Sequence, residues 1–80
     1  MDIQKQFGKL VRTRRRALDM SQEELGDKSD LNRGYISDIE RGLRNPSLKV
    51  IDRIAKALGM ELDELFAQSD KFWTLYSETK

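Results

Sequence analysis

The stretch SQEELGDKSDLNRGYISDIERG (residues 21–42) decides the reading of this chain. Ser21 followed three residues later by Glu24 is a capping box, the mark of a helix start. Asp30, Leu31 and Asn32 interrupt that helix. Asn32 then offers an N-cap for a second helix, which runs through Tyr35, Ile36 and Ile39 and stops at Gly42. Two short helices joined by so tight a turn cannot lie antiparallel, so they must cross steeply.

Working outward, the apolar positions Ile3, Phe7, Leu10, Val11 and Leu18 follow helical spacing, which predicts a first helix over residues 3–18. Lys5, Lys9, Arg12 and Arg16 share its opposite face as a solvated basic stripe. Arg15 stands apart from that stripe, near the apolar edge. In the Asn32 helix, Ile36 and Ile39 point inward, and Gly34, Ser37, Asp38 and Arg41 outward, with Arg33 and Tyr35 on the flanks. Glu40 falls beside the inward edge, where a carboxylate needs a partner, and Arg15 is the evident one. Leu31 is expected in the core. Gly26 weakens its helix by about 1 kcal/mol relative to alanine, an expense that a close backbone approach at that point would explain.

After a loop over residues 43–46, Ser47 caps an amphipathic helix with Leu48, Ile51, Ile54, Ala55 and Leu58 on one face and Gly59 at its end. Met60, Leu62, Leu65 and Phe66 indicate a short fifth helix. Residues 67–80 add Phe72, Trp73, Leu75 and Tyr76, which read equally as a helical stripe or a short strand. Their surplus of large apolar side chains covers either the domain's own core or a second subunit.

Bulk properties narrow the function. Eighty residues fit one small domain. Without cysteine there is neither a disulfide framework nor a thiolate metal site, which suits a reducing cytoplasm; without histidine the commonest general base and metal ligand are both missing. No apolar run approaches the roughly 18 residues of a membrane span, and the N-terminus lacks a secretory segment. No base is set beside a nucleophile and no phosphate-loop glycines occur, so we expect no enzyme, no cofactor and no metal. The net charge is only +1, but residues 1–49 carry 11 Lys/Arg against 8 Asp/Glu while residues 50–80 carry 4 against 6. The first part is therefore the better candidate for meeting a polyanion.

With these residues in view, the chain resembles the lambda-repressor-like family, the Cro/C1-type or XRE-type helix-turn-helix regulators. The likeness rests on Phe7 to Leu10 with Arg15, then MSQEEL (20–25), SDL (29–31), YISDIERG (35–42), NPSL (45–48) and IAKALGMELDELF (54–66). Within that family it is most similar to small stand-alone regulators such as restriction–modification controller proteins. The resemblance implies an all-α, five-helix DNA-binding domain over residues 1–66. Helices 2 and 3 would form the helix-turn-helix, and residues 67–80 a short aromatic extension. It further implies that helix 3 enters the major groove of an operator, with Arg33, Gly34, Ser37 and Asp38 at base-reading positions. Ser21, Gln22, Tyr35, Arg41, Arg44 and Asn45 would contact the DNA backbone, and Arg15 and Glu40 would form a buried-edge ion pair. Many family members have glycine where this chain has Asp30, and alanine where it has Gly26. Asp tolerates the left-handed conformation, so the turn should survive.

The chemistry of the reading surface leaves alternatives. Arg33 suits a bidentate contact to guanine, or a phosphate. Gly34 either lets the backbone approach the bases or simply weakens the helix. Asp38 either accepts from cytosine N4 or pairs locally with Arg41 or Arg33. A domain this small reads few base pairs, so specific binding to a palindromic operator implies a homodimer on two half-sites. Its interface is expected on helix 5 and part of helix 4, at Leu62, Leu65 and Phe66, with Trp73 and Tyr76 if the tail docks across. An acidic patch of Glu23, Glu24 and Asp27 is either an exposed helix face or a surface for RNA polymerase, and a protein antagonist is a further partner class. The competing function is an antitoxin-type protein-interaction module that also binds its own operator.

Overall fold

The computed structural model describes residues 2–67. Five helices follow one another: α1 Ile3–Ala17, α2 Gln22–Ser29, α3 Arg33–Glu40, α4 Leu48–Ala57 and α5 Leu62–Phe66, with no strand among the described residues. The expectations for Phe72, Trp73, Leu75 and Tyr76 lie outside the described residues.

Four of the five helices begin on a side chain that accepts from the first turn's backbone, leaving fewer orphan N–H groups. Asp2 takes Gln4 N at 2.8 Å, Ser21 takes Glu24 N at 3.0 Å, Asn32 takes Tyr35 N at 2.7 Å and Ser47 takes Val50 N at 3.2 Å. At α5 the Glu64 side chain reaches back to the Glu61 N–H at 2.9 Å. The exits of α1 to α4 each turn on a left-handed residue: Asp19 (φ 56°), Asp30 (φ 58°), Gly42 (φ 75°) and Gly59 (φ 75°). Asp30 thus takes the conformation a glycine would have supplied, and Leu31 N closes the turn onto Gly26 O at 2.8 Å.

The core gathers Phe7, Leu10, Val11, Met20, Leu25, Ile36, Ile39, Ile54, Ala55, Leu58 and Leu65. Helix α3 packs on both α1 and α2, while α4 packs on α2 and α5. Phe7 and Phe66 meet edge to face with centroids 6.4 Å apart, joining the two ends of the described chain. Two glycines make the helix crossings possible. A Cβ on Gly8 would collide with the carbonyl oxygen of Ile39 and lie 2.7 Å from that of Glu40, so α1 and α3 touch through backbone there. A Cβ on Gly26 would lie 2.6 Å from Leu31 O, which is the close approach that explains a glycine within α2.

Three apolar assignments need correction. Leu18 does not extend the buried face of α1, because the chain has already begun to turn; it is 41% exposed, and Met20 takes the core position. Leu48, the first residue of α4, projects outward at 70% exposure. Leu31 is half-buried, packed against the core rather than enclosed by it.

Candidate nucleic-acid interface

The site begins with a buried carboxylate. Glu40 ends α3 on its inward edge and receives Arg15 from α1 in two bonds, Nε to Oε2 at 2.6 Å and Nη2 to Oε1 at 3.0 Å. Arg15 also donates Nη1 to Met20 O at 2.8 Å, and Gln22 Nε2 donates to Glu40 Oε1 at 3.2 Å. The Glu40 side chain is 1% exposed. Its bond to Arg15, outweighing the opposing effect of burial, raises the arginine's pKa above the ordinary value and keeps the guanidinium charged. One charged cluster therefore ties α1, the start of α2 and the end of α3. Together with Ile36 and Ile39 below, it fixes the angle at which the outer face of α3 is presented.

On that outer face the expected residues separate into distinct groups. Arg33 is exposed at the first position of α3, and among the described residues no hydrogen bond or ion pair engages its side chain. Gly34 is exposed, and a Cβ there would meet only Asn32 Oδ1, at 3.3 Å; an alanine would press lightly on the oxygen that caps the helix. Ser37 is half-buried. Asp38 pairs locally: Oδ1 accepts from Arg41 Nη2 at 2.7 Å and Oδ2 from Arg44 Nε at 3.2 Å. Its partners are thus Arg41 and Arg44, and not Arg33. The hydrogen bond from Arg41 first, then that from Arg44, lowers the pKa of Asp38. Arg44 lies over the half-buried Tyr35 ring, with Cζ 5.3 Å from the centroid, and Asn45 is exposed next to it.

At the start of α2, Ser21 is exposed and its oxygen is already the cap of that helix. Gln22 is half-buried, with its amide turned to Glu40. Its expected part in phosphate contact competes with that internal bond. In the expected interface set, Leu62 and Phe66 are half-buried, whereas Leu65 is fully enclosed by its own subunit and offers no surface. Leu65 is therefore removed from that set: in so short a helix, the residue facing α4 belongs to the core.

Several residues that hold the site are not evident from sequence. Arg53 of α4 reaches the C-terminal end of α2, donating Nε to Ser29 O at 3.0 Å and Nη2 to Asp30 O at 2.6 Å. Arg12 leaves its basic stripe to donate to Glu40 O at 3.4 Å, and Arg14 donates to Leu58 O at 3.5 Å. Each arginine spends its charge on carbonyls at a helix end, a favourable place for a cation. Nothing local in the sequence marks these pairings, because the partners lie 23 or more residues away. Among the described residues no group of His, Cys, Asp or Glu is placed to hold a metal ion, and no helix is long and apolar enough to cross a membrane.

A closely packed helix pair joined by a short turn, its second helix carrying an exposed arginine, defines a helix-turn-helix DNA-binding domain of lambda-repressor type. The helix-turn-helix family HTH_3 matches residues 11–65, and the chain belongs to it: it is a DNA-binding transcription regulator of the XRE type. It is 44% identical over 71 residues to the control protein C.MunI from a Mycoplasma species, covering 88% of this chain and 96% of that one. It is 53% identical over 60 residues to the control protein C.BamHI of Bacillus amyloliquefaciens, covering 74% of each. Among solved structures, the restriction–modification controller protein C.Esp1396I, as a tetramer on its natural 35 base-pair operator, superposes with a TM-score of 0.83 at 32% identity, covering 90% of this chain and 95% of that one.

Proposed function

We propose that the chain is a controller-type regulator that binds a palindromic operator as a homodimer, each subunit placing α3 in the major groove. The observation that carries this reading is the contrast within α3. Its inner edge is fixed by Ile36, Ile39 and the Arg15–Glu40 pair, while Arg33 on its outer edge is exposed and uncommitted. A rigid base under a free guanidinium is what base recognition requires, and such a contact discriminates by about 1–3 kcal/mol. In this reading Gly34, Ser37 and Asp38 face bases beside Arg33. Ser21, Gln22, Tyr35, Arg41, Arg44 and Asn45 seat the domain on phosphates, and the N-terminus of α2 adds backbone donors.

The similarity to C.MunI, C.BamHI and C.Esp1396I supports the controller assignment, and the operator complex of C.Esp1396I supports operator binding. The dimer surface is assigned to Leu62 and Phe66 on α5, joined by Trp73 and Tyr76 if the tail docks across. The protein acts in the cytoplasm and carries out no catalysis. Selecting duplexes from a random pool with the full chain tests the reading: enrichment of an inverted repeat supports it, and recovery of unrelated sequences opposes it. Sedimentation equilibrium tests the dimer, which a Leu62→Asp substitution should shift toward monomer; a wild-type chain that stays monomeric on its site would refute it.

A further inference from the structure

Two of the three arginines on the outer face already share one carboxylate of their own chain. Asp38 accepts from Arg41 with one oxygen and from Arg44 with the other, at 2.7 and 3.2 Å. The side chains of Arg41 and Arg44 remain 57% and 52% exposed, so water and phosphate can reach both. The Tyr35 ring braces Arg44 from its other side. Arg33, by contrast, has no such tie among the described residues.

Binding to random DNA is driven by the number of phosphates that cations neutralise, since each releases counterions. An arginine bound to a carboxylate of its own chain must give up that contact before it contributes fully. The carboxylate left behind then faces a polyanion with no compensation. Inside the major groove the situation changes. Cytosine N4 and adenine N6 present amino donors there, and these can occupy the carboxylate oxygens that the arginines vacate; guanine and thymine edges offer acceptors, which repel it. Every base pair carries one such amino group, on one strand or the other, so random sequence sets it opposite Asp38 only by chance, and a loosely held complex does not bring Asp38 to the base edges at all.

Resting on the reading that this face binds DNA, we propose that Asp38 is a selectivity residue that withholds Arg41 and Arg44 from random DNA and releases them where an amino-bearing base takes their place. Asp38 thereby sets a difference between right and wrong sequences, mainly by penalising the wrong ones. This role is separate from a simple base contact, because it acts through the two arginines and changes the salt dependence.

The test is equilibrium binding of the full-length protein to two duplexes of equal length, one selected by the wild type from a random pool and one of random sequence, across a salt series. D38N and D38A should bind the random duplex about tenfold more tightly than wild type, with a log–log salt slope steeper by about 1–2. Their affinity for the selected duplex should not rise, since the lost bond to the base amino group offsets the freed arginines, so the preference between duplexes falls by about tenfold or more. In an R41Q/R44Q background, adding D38N should no longer raise random-duplex affinity. An unchanged random-duplex affinity and slope, an equal gain on both duplexes, or a gain that persists without the arginines would each overturn the proposal. Thermal melting of D38N, expected within about 3 °C of wild type because the ion pairs it loses are to exposed arginines, keeps folding separate from binding. A wild type with no preferred duplex at all would defeat the DNA-binding reading itself, a result visible before any variant is made.

Discussion

Replacing Glu40 with alanine asks how much of this domain depends on one buried charge. Its side chain is 1% exposed and that of Arg15 is 11%, so water replaces little of the lost bond. Removing one partner of such a pair costs about 3–5 kcal/mol, since the other charge stays buried. Arg15 retains its bond to Met20 O and some water, which favours the lower end, about 3 kcal/mol. A chain of this length has a total stability of about 4–12 kcal/mol, so E40A removes a large share of it. At roughly 4–8 °C per kcal/mol, the midpoint of thermal unfolding should fall by roughly 12–24 °C. Urea denaturation should give the same loss with an unchanged slope. The double substitution R15M/E40L, which removes both charges, should recover most of it. A melting temperature for E40A within about 3 °C of wild type would refute the argument, as would a double variant less stable than E40A.

Gly8→Ala should destabilise by about 2–3 kcal/mol and weaken DNA binding with it, because the added methyl separates α1 from α3 at the Ile39 and Glu40 carbonyls; melting and binding measured together check this. Arg53→Ala should destabilise less, by about 1–2 kcal/mol, by leaving the Ser29 and Asp30 carbonyls without their guanidinium, and amide exchange should rise first at the end of α2. For Asp38, the titration midpoint followed by NMR should lie below the ordinary 3.8 and move back toward it in R41Q/R44Q. A lowered folded value means that its contribution to stability is present above the ordinary carboxylate range and is lost as pH falls through that lowered value.

Much of this fold is legible locally. Ser21, Asn32 and Ser47 announce helix starts by residue type alone, and Gly42 and Gly59 announce ends, so the five-helix order follows from short-range chemistry. Helical projection likewise puts Ile36 and Ile39 inside and sets Glu40 next to them, which is enough to call for Arg15. What escapes is geometry set by distant partners. Leu18 and Leu48 fit an apolar stripe by spacing, yet each lies at a helix end where the chain's change of direction carries it outward. Gly8 looks like an ordinary helix-weakening residue until α3 is laid against it. Asp30 supports the turn as expected, but the hold that Arg53 keeps on the same turn depends on where α4 packs. At the site, Asp38 kept two readings open because Arg41 is legible as a neighbour at helical spacing, whereas Arg44 arrives from the following loop.

In the proposed complex one outer face of α3 divides between reading and seating, with Arg33 the reader. Arg33→Ala and Arg44→Ala, each measured on the duplex selected by the wild type, on single-base variants of that duplex and on random DNA, test it most directly. Arg33→Ala should lose about 1–3 kcal/mol on the selected duplex, abolish discrimination at one position in each half-site and leave random-duplex affinity nearly unchanged. Arg44→Ala should weaken the selected duplex and all its single-base variants by similar factors and reduce the salt slope there by about 1, with a smaller loss on random DNA, where Asp38 already holds the arginine. If both variants lost affinity equally on selected and random DNA, with discrimination intact at every position, the assignment of Arg33 as the reader would be contradicted.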